Sequence, residues 1–286
     1  MIRNIVVAYD DTRTAQVAVE QAVDIAEATE GRIHLTVVAH QTTPSVDLAT
    51  GPDLSGYGGP PPPPAIPEYA SPEDRLSQDE LDRNAYDEAL TAVEQCEKAG
   101  VAHTVSRLYG SPADRLVRRG MLADLLVVGR GAVGFNTEGS RLGMVPRQVL
   151  MRSVTPTLLC DVDYVPLREG LVLYEPTEAG GRALARAGEF CSYLNMSLTV
   201  VAAHPDRRSG ERTLRDACAA LRSYHVDAEC VSFPGSAADA LQSEAAQRKA
   251  GLVVMPRPRR PLWSWQTPSA LGSATSLPGA LVMVVP

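Results

Sequence analysis

The residues of this chain best suited to chemistry lie in one glycine-rich stretch. Residues 129–145 read GRGAVGFNTEGSRLGMV, directly after the apolar run LLVVG and directly before a helical pattern. Glycines let backbone amides approach phosphate oxygens, and the free amides that begin a helix add donors with a favourable dipole. Arg130, Arg141 and Arg147 could add charged contacts, although each taken singly could also be solvated surface. The stretch predicts a phosphate-binding loop.

The same stretch contains a second pattern, because Gly129, Gly131 and Gly134 spell GxGxxG. That pattern marks dinucleotide-binding sites when it follows the first strand of its unit and begins a helix at once. Here it follows the fourth strand, and the helical pattern starts well after the last glycine. We therefore expect no nicotinamide dinucleotide at this loop.

The rest of the chain offers no comparable signal for catalysis. The five histidines show no metal-ligand spacing, no GxSxG elbow occurs, and no Ser or Cys can be matched to a base. His40 and His204 end equivalent strands, where a structural role is the simpler interpretation. We therefore expect a binding protein rather than an enzyme.

The cysteines are odd in number and scattered, without a CxxC pair. This usage predicts reduced, buried thiols rather than a disulfide framework or a zinc site. The five are Cys96, Cys160, Cys191, Cys218 and Cys230.

Charge and composition exclude several classes of partner. The formal net charge of −7 at pH 7 works against binding to nucleic acid or anionic membranes. The mixed cluster of Arg257, Arg259, Arg260, Trp263 and Trp265 resembles a single-strand binder in composition, but a loop between elements explains it better. No apolar run approaches a membrane span, and the first residues lack the features of a signal peptide, so we expect a cytoplasmic protein.

The sequence contains two similar copies of one repeated unit. Residues 5–40 return as residues 171–204, with LTVVAH rewritten as LTVVAAH, and residues 108–129 return as residues 233–255. In each copy, short apolar β-branched runs alternate with amphipathic helical patterns, five strands to a copy. This order predicts two doubly wound, Rossmann-like five-stranded parallel sheets, which bind ligands beyond the carboxyl ends of their strands.

The repeat predicts two domains, residues 1–163 and residues 168–286. The first carries an insertion, residues 41–70, with five consecutive prolines. It is a polyproline II docking site, a lid over a ligand or a solvated insertion, and the last interpretation is the simplest. In the second copy the proline-rich residues 256–279 leave little room for a helix before the last strand.

These motifs resemble the universal stress protein family, specifically its tandem members. The resemblance rests on IVVAYD with its following helix, on LTVVAH, on LLVVG, and on GMV leading to TPTLLCDV. It implies that Asp10 and Val38 lie near a nucleoside, that the 129–145 loop surrounds its phosphates, and that the last strands of the copies pair across a two-fold axis. The implied nucleotide-binding residues are Asp10, Asp11, Thr12, Val38, Gly129, Arg130, Gly131, Gly134, Gly143, Met144 and Val145.

The loop departs from the family pattern, which is G, two residues, G, nine residues, G, then Ser or Thr. Counted from Gly129, the second glycine is Ala132; counted from Gly131, Gly143 arrives one residue early. In both frames Met144 stands where a hydroxyl is expected. The second copy departs further, with Glu175 in place of Asp10, so we expect it to be degenerate.

Two functions follow from these observations. The first is a stress-response regulatory protein that holds ATP, ADP or AMP in the first domain, with the role of Mg²⁺ open. The alternative is a nucleotide-free interaction or scaffold module whose binding sites have decayed. In either case we expect an intramolecular pseudo-dimer, and the sequence leaves further homodimerisation open.

Overall fold

The structure is a computed structural model. The residues it describes are 2–10, 12–39, 86–87, 89–131, 142–258 and 270–286. The insertion at 41–70 lies outside the described residues, as does the Arg/Trp cluster beyond Arg257.

The first half of the chain alternates strands and helices. Its elements are β1 (Asn4–Tyr9), α1 (Arg13–Thr29), β2 (Arg32–Ala39), α2 (Leu90–Lys98), β3 (Ala102–Tyr109), α3 (Pro112–Gly120), β4 (Leu125–Gly129), α4 (Met144–Arg152) and β5 (Thr157–Cys160).

The second half repeats this order. Its elements are β6 (Glu169–Leu173), α5 (Glu178–Tyr193), β7 (Ser197–Ala203), α6 (Arg207–Leu221), a 3₁₀ turn (Arg222–Tyr224), β8 (Ala228–Phe233), α7 (Ala237–Arg248), β9 (Leu252–Pro256), α8 (Ala270–Ser276) and β10 (Leu281–Val285).

All ten strands form one sheet in the order β3-β2-β1-β4-β5-β10-β9-β6-β7-β8. Strands within each half are parallel, and the halves meet where β5 and β10 pair antiparallel. Leu158 faces Met283 at the centre of that pairing, with symmetric partners on either side, so an approximate two-fold axis passes between them. The expected α/β class and five parallel strands per half are confirmed.

The first helices of the two halves begin alike. Thr12 caps α1 by accepting the Ala15 amide, and Thr177 caps α5 by accepting the Gly180 amide. Serine and threonine are preferred at this position because their oxygen accepts an otherwise unpaired amide. These matched caps establish which residues of the two halves correspond.

The expectation of little room for a helix at residues 256–279 is wrong. Helix α8 occupies Ala270–Ser276, with Leu271 and Ala274 buried against α7 and β10. Proline breaks a helix from the inside, whereas the prolines of this stretch lie before Ala270 or after Ser276. The helix therefore forms between them.

The expectation of five reduced thiols is wrong for two cysteines. Cys218 on α6 and Cys230 on β8 form a disulfide, with their Cα atoms 6.6 Å apart. The two elements pack against each other at the edge of the sheet, so cysteines without a CxxC pattern still meet. In the first half the corresponding positions hold Val93 and Val105.

The remaining cysteines are buried free thiols, as expected. Burial raises the pKa of Cys160 and of Cys191 to about 12 and that of Cys96 to about 11. The thiolate is the reactive form, so these raised values keep the three side chains inert near neutral pH. They act as small apolar core residues.

Among the described helices, none has the length and apolar character required to cross a bilayer.

Candidate functional site

The candidate site lies where β1 and β4 end. These strands pair in parallel, with Ile5 opposite Leu125 and Val7 opposite Val127, so their carboxyl ends reach the same edge of the sheet. Doubly wound sheets bind ligands at this edge.

A polar turn follows β1. The Thr12 hydroxyl donates to Asp10 Oδ1 at 2.6 Å, and the Thr12 amide approaches the same oxygen at 3.3 Å. Thr12 also caps α1, so the Asp10 carboxylate is held against the first turn of that helix. Asp10 remains exposed, and its carboxylate can accept hydrogen bonds from a ligand. Asp11 lies outside the described residues.

The end of β4 packs tightly on the same helix. A Cβ atom added to Gly129 would lie 2.4 Å from Thr14 Oγ1 and 2.8 Å from Thr14 Cβ. Only glycine permits this approach. Thr14 is a site residue that the sequence did not indicate, since its role is visible only as a contact with Gly129.

The described ends of the glycine-rich loop touch each other. Gly131 has a φ of +128°, and a Cβ on it would lie 2.9 Å from Gly143 Cα. The Gly143 amide donates to the Arg130 carbonyl at 2.7 Å. The loop between them, including Gly134, lies outside the described residues. The positive φ and the close approach therefore require glycine at position 131, where the loop closes.

Helix α4 begins at this closure. Gly143 is its N-cap and supplies no side-chain cap, so the amides of Met144 and Val145 start the helix without one. Met144 is 75% exposed and provides no hydroxyl. Arg147 is half-buried one turn along, and its Nε has no hydrogen-bond partner among the described residues. Backbone amides at a helix start and an arginine guanidinium are groups that can bind an anion.

An apolar surface lies beside the polar groups. Ala8, Val38 and Val145 are half-buried and pack on a cluster formed by β1, β4, α3 and α4. Each side chain therefore keeps part of its surface exposed near the carboxyl edge. A flat apolar group could pack there.

The predicted role of Arg130 in nucleotide binding must be corrected, because its side chain does not face this site. It is 2% exposed, and Nη1 contacts Asp161 Oδ2 at 3.0 Å and the Thr275 carbonyl at 2.9 Å. Nη2 donates to the Ala280 carbonyl. Thr275 lies in the last turn of α8, where the carbonyls carry the negative end of the helix dipole and attract the cation. Arg130 therefore binds the second half instead of a phosphate.

The equivalent edge of the second half is built differently. Gly129 pairs with Cys160 as Pro256 pairs with Val285, so Pro256 holds the position of Gly129, one residue from the Met255 expected from sequence. Proline has no amide to offer a phosphate. Leu173, which is 2% exposed, stands at the position of Ala8, so a larger and buried side chain replaces the half-buried alanine.

Comparison with known proteins agrees with this architecture. The model of the Universal stress protein family matches residues 1–55. No curated protein matches the chain.

Solved structures cover nearly the whole chain. A universal stress protein from Archaeoglobus fulgidus DSM 4304 has a TM-score of 0.73 at 16% identity, covering 99% of this chain and 97% of the other. A putative universal stress protein from Pseudomonas aeruginosa UCBPP-PA14 has a TM-score of 0.59 at 15% identity, with coverages of 99% and 93%. A functionally unknown protein from Pseudomonas aeruginosa PAO1 has a TM-score of 0.60 at 14% identity, with coverages of 99% and 92%.

At these identities the similarity to the solved structures shows the fold alone. The sequence match covers the first strand, the first helix and the second strand. The resemblance to the universal stress protein family is thereby confirmed: this chain has the family's fold over 99% of its length and the family's sequence pattern in residues 1–55.

Proposed function

We propose that this protein is a cytoplasmic stress-response regulator that binds an adenine nucleotide, ATP, ADP or AMP, in its first half. The observation that carries the proposal is the closure of the glycine loop by Gly131 and Gly143, directly before the open first turn of α4. This closure lies at the edge where doubly wound sheets bind ligands.

Each of the described groups suits a different part of a nucleotide. The amides of Met144 and Val145 and the guanidinium of Arg147 would bind phosphate oxygens. The Asp10 carboxylate would accept hydrogen bonds from ribose hydroxyls. The base would pack on the exposed part of Val38.

We propose binding without turnover, because the sequence provides no group that can be matched as a general base. Regulation would then come from the difference between the bound and free states. Whether Mg²⁺ accompanies the nucleotide is decided by titration in its presence and absence.

Isothermal titration with ATP, ADP and AMP tests the proposal. We expect saturable binding of at least one nucleotide, weakened about tenfold or more in Gly131→Ala because the added Cβ meets Gly143 Cα. Gly279→Ala is the matched control, since Gly279 also has a positive φ but no atom near the added Cβ. No heat from any of the three nucleotides at millimolar concentration would overturn the proposal.

A second candidate is a nucleotide-free interaction module. Two observations favour it: Met144 replaces the expected hydroxyl residue, and Arg130 is directed into the second half. Capture of partners by wild-type protein, and their loss when residues 41–70 are deleted, would support it together with a negative titration. Light scattering on the same preparation measures the oligomeric state, which the sequence left open.

A further inference from the structure

Helix α4, whose first amides would bind phosphate, is shared between the two halves of the molecule. Val149 on one side of the helix is fully buried in a cluster of first-half residues that includes Leu116 and Leu126. Leu150, the next residue, is 3% exposed and lies in a different core cluster, which consists mostly of second-half residues such as Leu277. The helix therefore packs on both halves at once.

The start of α4 is fixed by the backbone of Arg130. The Arg130 carbonyl accepts the amide of Gly143, the N-cap of the helix, at 2.7 Å. The Arg130 amide donates to the Cys160 carbonyl at 2.8 Å, which ties the same residue to β5. The position of residue 130 therefore determines where the glycine-rich loop closes and where α4 begins.

The side chain of Arg130 is held by the second half. It is 2% exposed, its guanidinium donates to the carbonyls of Thr275 and Ala280, and it pairs with Asp161. Charge-assisted hydrogen bonds of a buried guanidinium are strong and directional. A displacement of these second-half carbonyls would therefore move residue 130, and with it the first turn of α4.

The other end of α4 is held by the second half as well. Arg257 follows β9, and its Nη1 donates to the carbonyl of Ser153 at 2.8 Å and to that of Met151 at 3.3 Å. Ser153 is the C-cap of α4, and Met151 lies in its last turn. Carbonyls at this end carry the negative end of the helix dipole, so the cation stabilises the helix.

Arg257 is too far from the start of α4 to touch a ligand there. The helix has nine residues, and at a rise of 1.5 Å per residue its ends are about 13 Å apart. Any effect of Arg257 on a phosphate bound by the amides of Met144 and Val145 must therefore act through the helix.

The second half makes these contacts although its own edge is unsuited to phosphate. Pro256 holds the position of Gly129 and has no amide to offer. The next residue, Arg257, nevertheless reaches the first half. The contacts with α4 thus give a function to a half whose own ligand edge is degenerate.

We propose that the second half regulates the nucleotide site of the first half, and that Arg130 and Arg257 are the positioning residues through which it acts. This inference rests on the proposed nucleotide binding. Contacts at both ends hold α4 where the amides of Met144 and Val145 can bind phosphate. Because coupling between two sites is reciprocal, a bound nucleotide must in turn strengthen the contacts with the second half.

Hydrogen exchange of the ligand-free, full-length protein, followed by mass spectrometry, tests the positioning. Arg130→Met and Arg257→Met should each speed the exchange of peptides from residues 143–152 about fivefold or more, because one end of α4 is released. Peptides from α1 are the internal reference for global unfolding and should exchange as in the wild type. Arg257→Lys keeps a cation at the end of α4 and should restore most of the protection.

Isothermal titration with ATP, ADP and AMP tests the effect on the site. We expect Kd to rise about tenfold in Arg130→Met and about threefold in Arg257→Met, although neither side chain touches the nucleotide. Arg257→Lys should bind nearly as the wild type does. In the wild type, saturating nucleotide should slow the exchange of peptides from α8, whose last turn bonds to Arg130.

Arg248→Met is the matched control. Arg248 donates to Glu244 on α7 and to Glu229 on β8, the edge strand of the second half. The variant therefore removes a hydrogen-bonded arginine of the second half without releasing either end of α4. It should change neither the exchange of α4 nor the nucleotide Kd, and circular dichroism of each variant verifies folding.

Unchanged exchange of α4 in both Arg130→Met and Arg257→Met would overturn the proposal, as would an unchanged nucleotide Kd in both. An equal effect of Arg248→Met would assign the changes to general destabilisation and would also overturn it. Absence of nucleotide binding by the wild type would instead overturn the proposed function. The ligand-free exchange data would then still decide whether the second half positions α4, so the two failures are distinguishable.

Discussion

At the level of single residues, Gly129 links the candidate site to the stability of the fold. It ends β4 and faces Thr14 on α1, the helix that Asp10 and Thr12 precede. The backbone of the strand therefore lies against the helix with no room for a side chain. The same closeness brings the glycine loop and the Asp10 turn to one edge.

Gly129→Ala should lower the free energy of unfolding by about 1–3 kcal/mol, because the new methyl group overlaps Thr14 and must displace α1 or β4. Urea denaturation followed by circular dichroism measures the change. Gly181→Ala on α5 is the control, since nothing lies near its added Cβ and the helix should gain up to about 1 kcal/mol. Equal stabilities of wild type and Gly129→Ala would contradict the packing described here.

Residue roles were predictable only where the local pattern decides them. The apolar strands and the glycines of the loop follow from local propensity, so the sequence located them. The direction of Arg130 depends on Thr275 and Ala280, which lie far away in the chain. A loop arginine beside glycines suggests phosphate, and only the paired halves reveal the competing carbonyls.

At the level of elements, the edge of the second half differs from that of the first. The disulfide joins Cys218 on α6 to Cys230 on β8, across a sequence separation of 12 residues. The first half has Val93 and Val105 at these positions. Two valines in the first half thus stand where the second half has a covalent bond between helix and edge strand.

Reduction of this disulfide should lower the free energy of unfolding by about 2–3 kcal/mol, because the unfolded chain regains the entropy of a short closed loop. Urea denaturation with and without a phosphine reductant measures the difference. The double variant Cys218→Val, Cys230→Val should fold and lose the sensitivity to reductant. A titration of the denatured wild type that finds five free thiols instead of three would contradict the bond.

The strand and helix order was predictable because buried strands and amphipathic helices have distinct periods. Helix α8 was missed, since its seven residues are too few to show a period beside so many prolines. The disulfide was missed because the pairing depends on which edges of α6 and β8 face each other. Both features are set by packing rather than by local sequence.

At the level of the whole molecule, each half donates hydrogen bonds from one arginine to backbone carbonyls of the other half, across the approximate two-fold axis. Arg130 donates to the carbonyls of Thr275 and Ala280, around the end of α8. Arg257 donates to the carbonyls of Met151 and Ser153, around the end of α4. Together with the antiparallel pairing of β5 and β10, these contacts make each half a support for the other.

Arg130→Met should lower the free energy of unfolding by about 3 kcal/mol, because it leaves Asp161 and two buried carbonyls without their cation. Arg257→Met should cost only about 1 kcal/mol, since Arg257 is half-buried and binds carbonyls alone. Urea denaturation of both variants measures these differences. The two expected losses of unfolding free energy differ because Arg130 is buried and Arg257 is half-buried, although the two arginines occupy equivalent positions.

The double variant separates a shared interface from two local effects. β4 and β9 point in opposite directions, so Arg130 and Arg257 lie at opposite edges of the sheet and contact no common residue. Their effects on the free energy of unfolding should therefore add to within about 0.5 kcal/mol. A single unfolding transition should persist, because β5 and β10 still join the halves. Two separate transitions in Arg130→Met would instead mean that this one side chain holds the halves together.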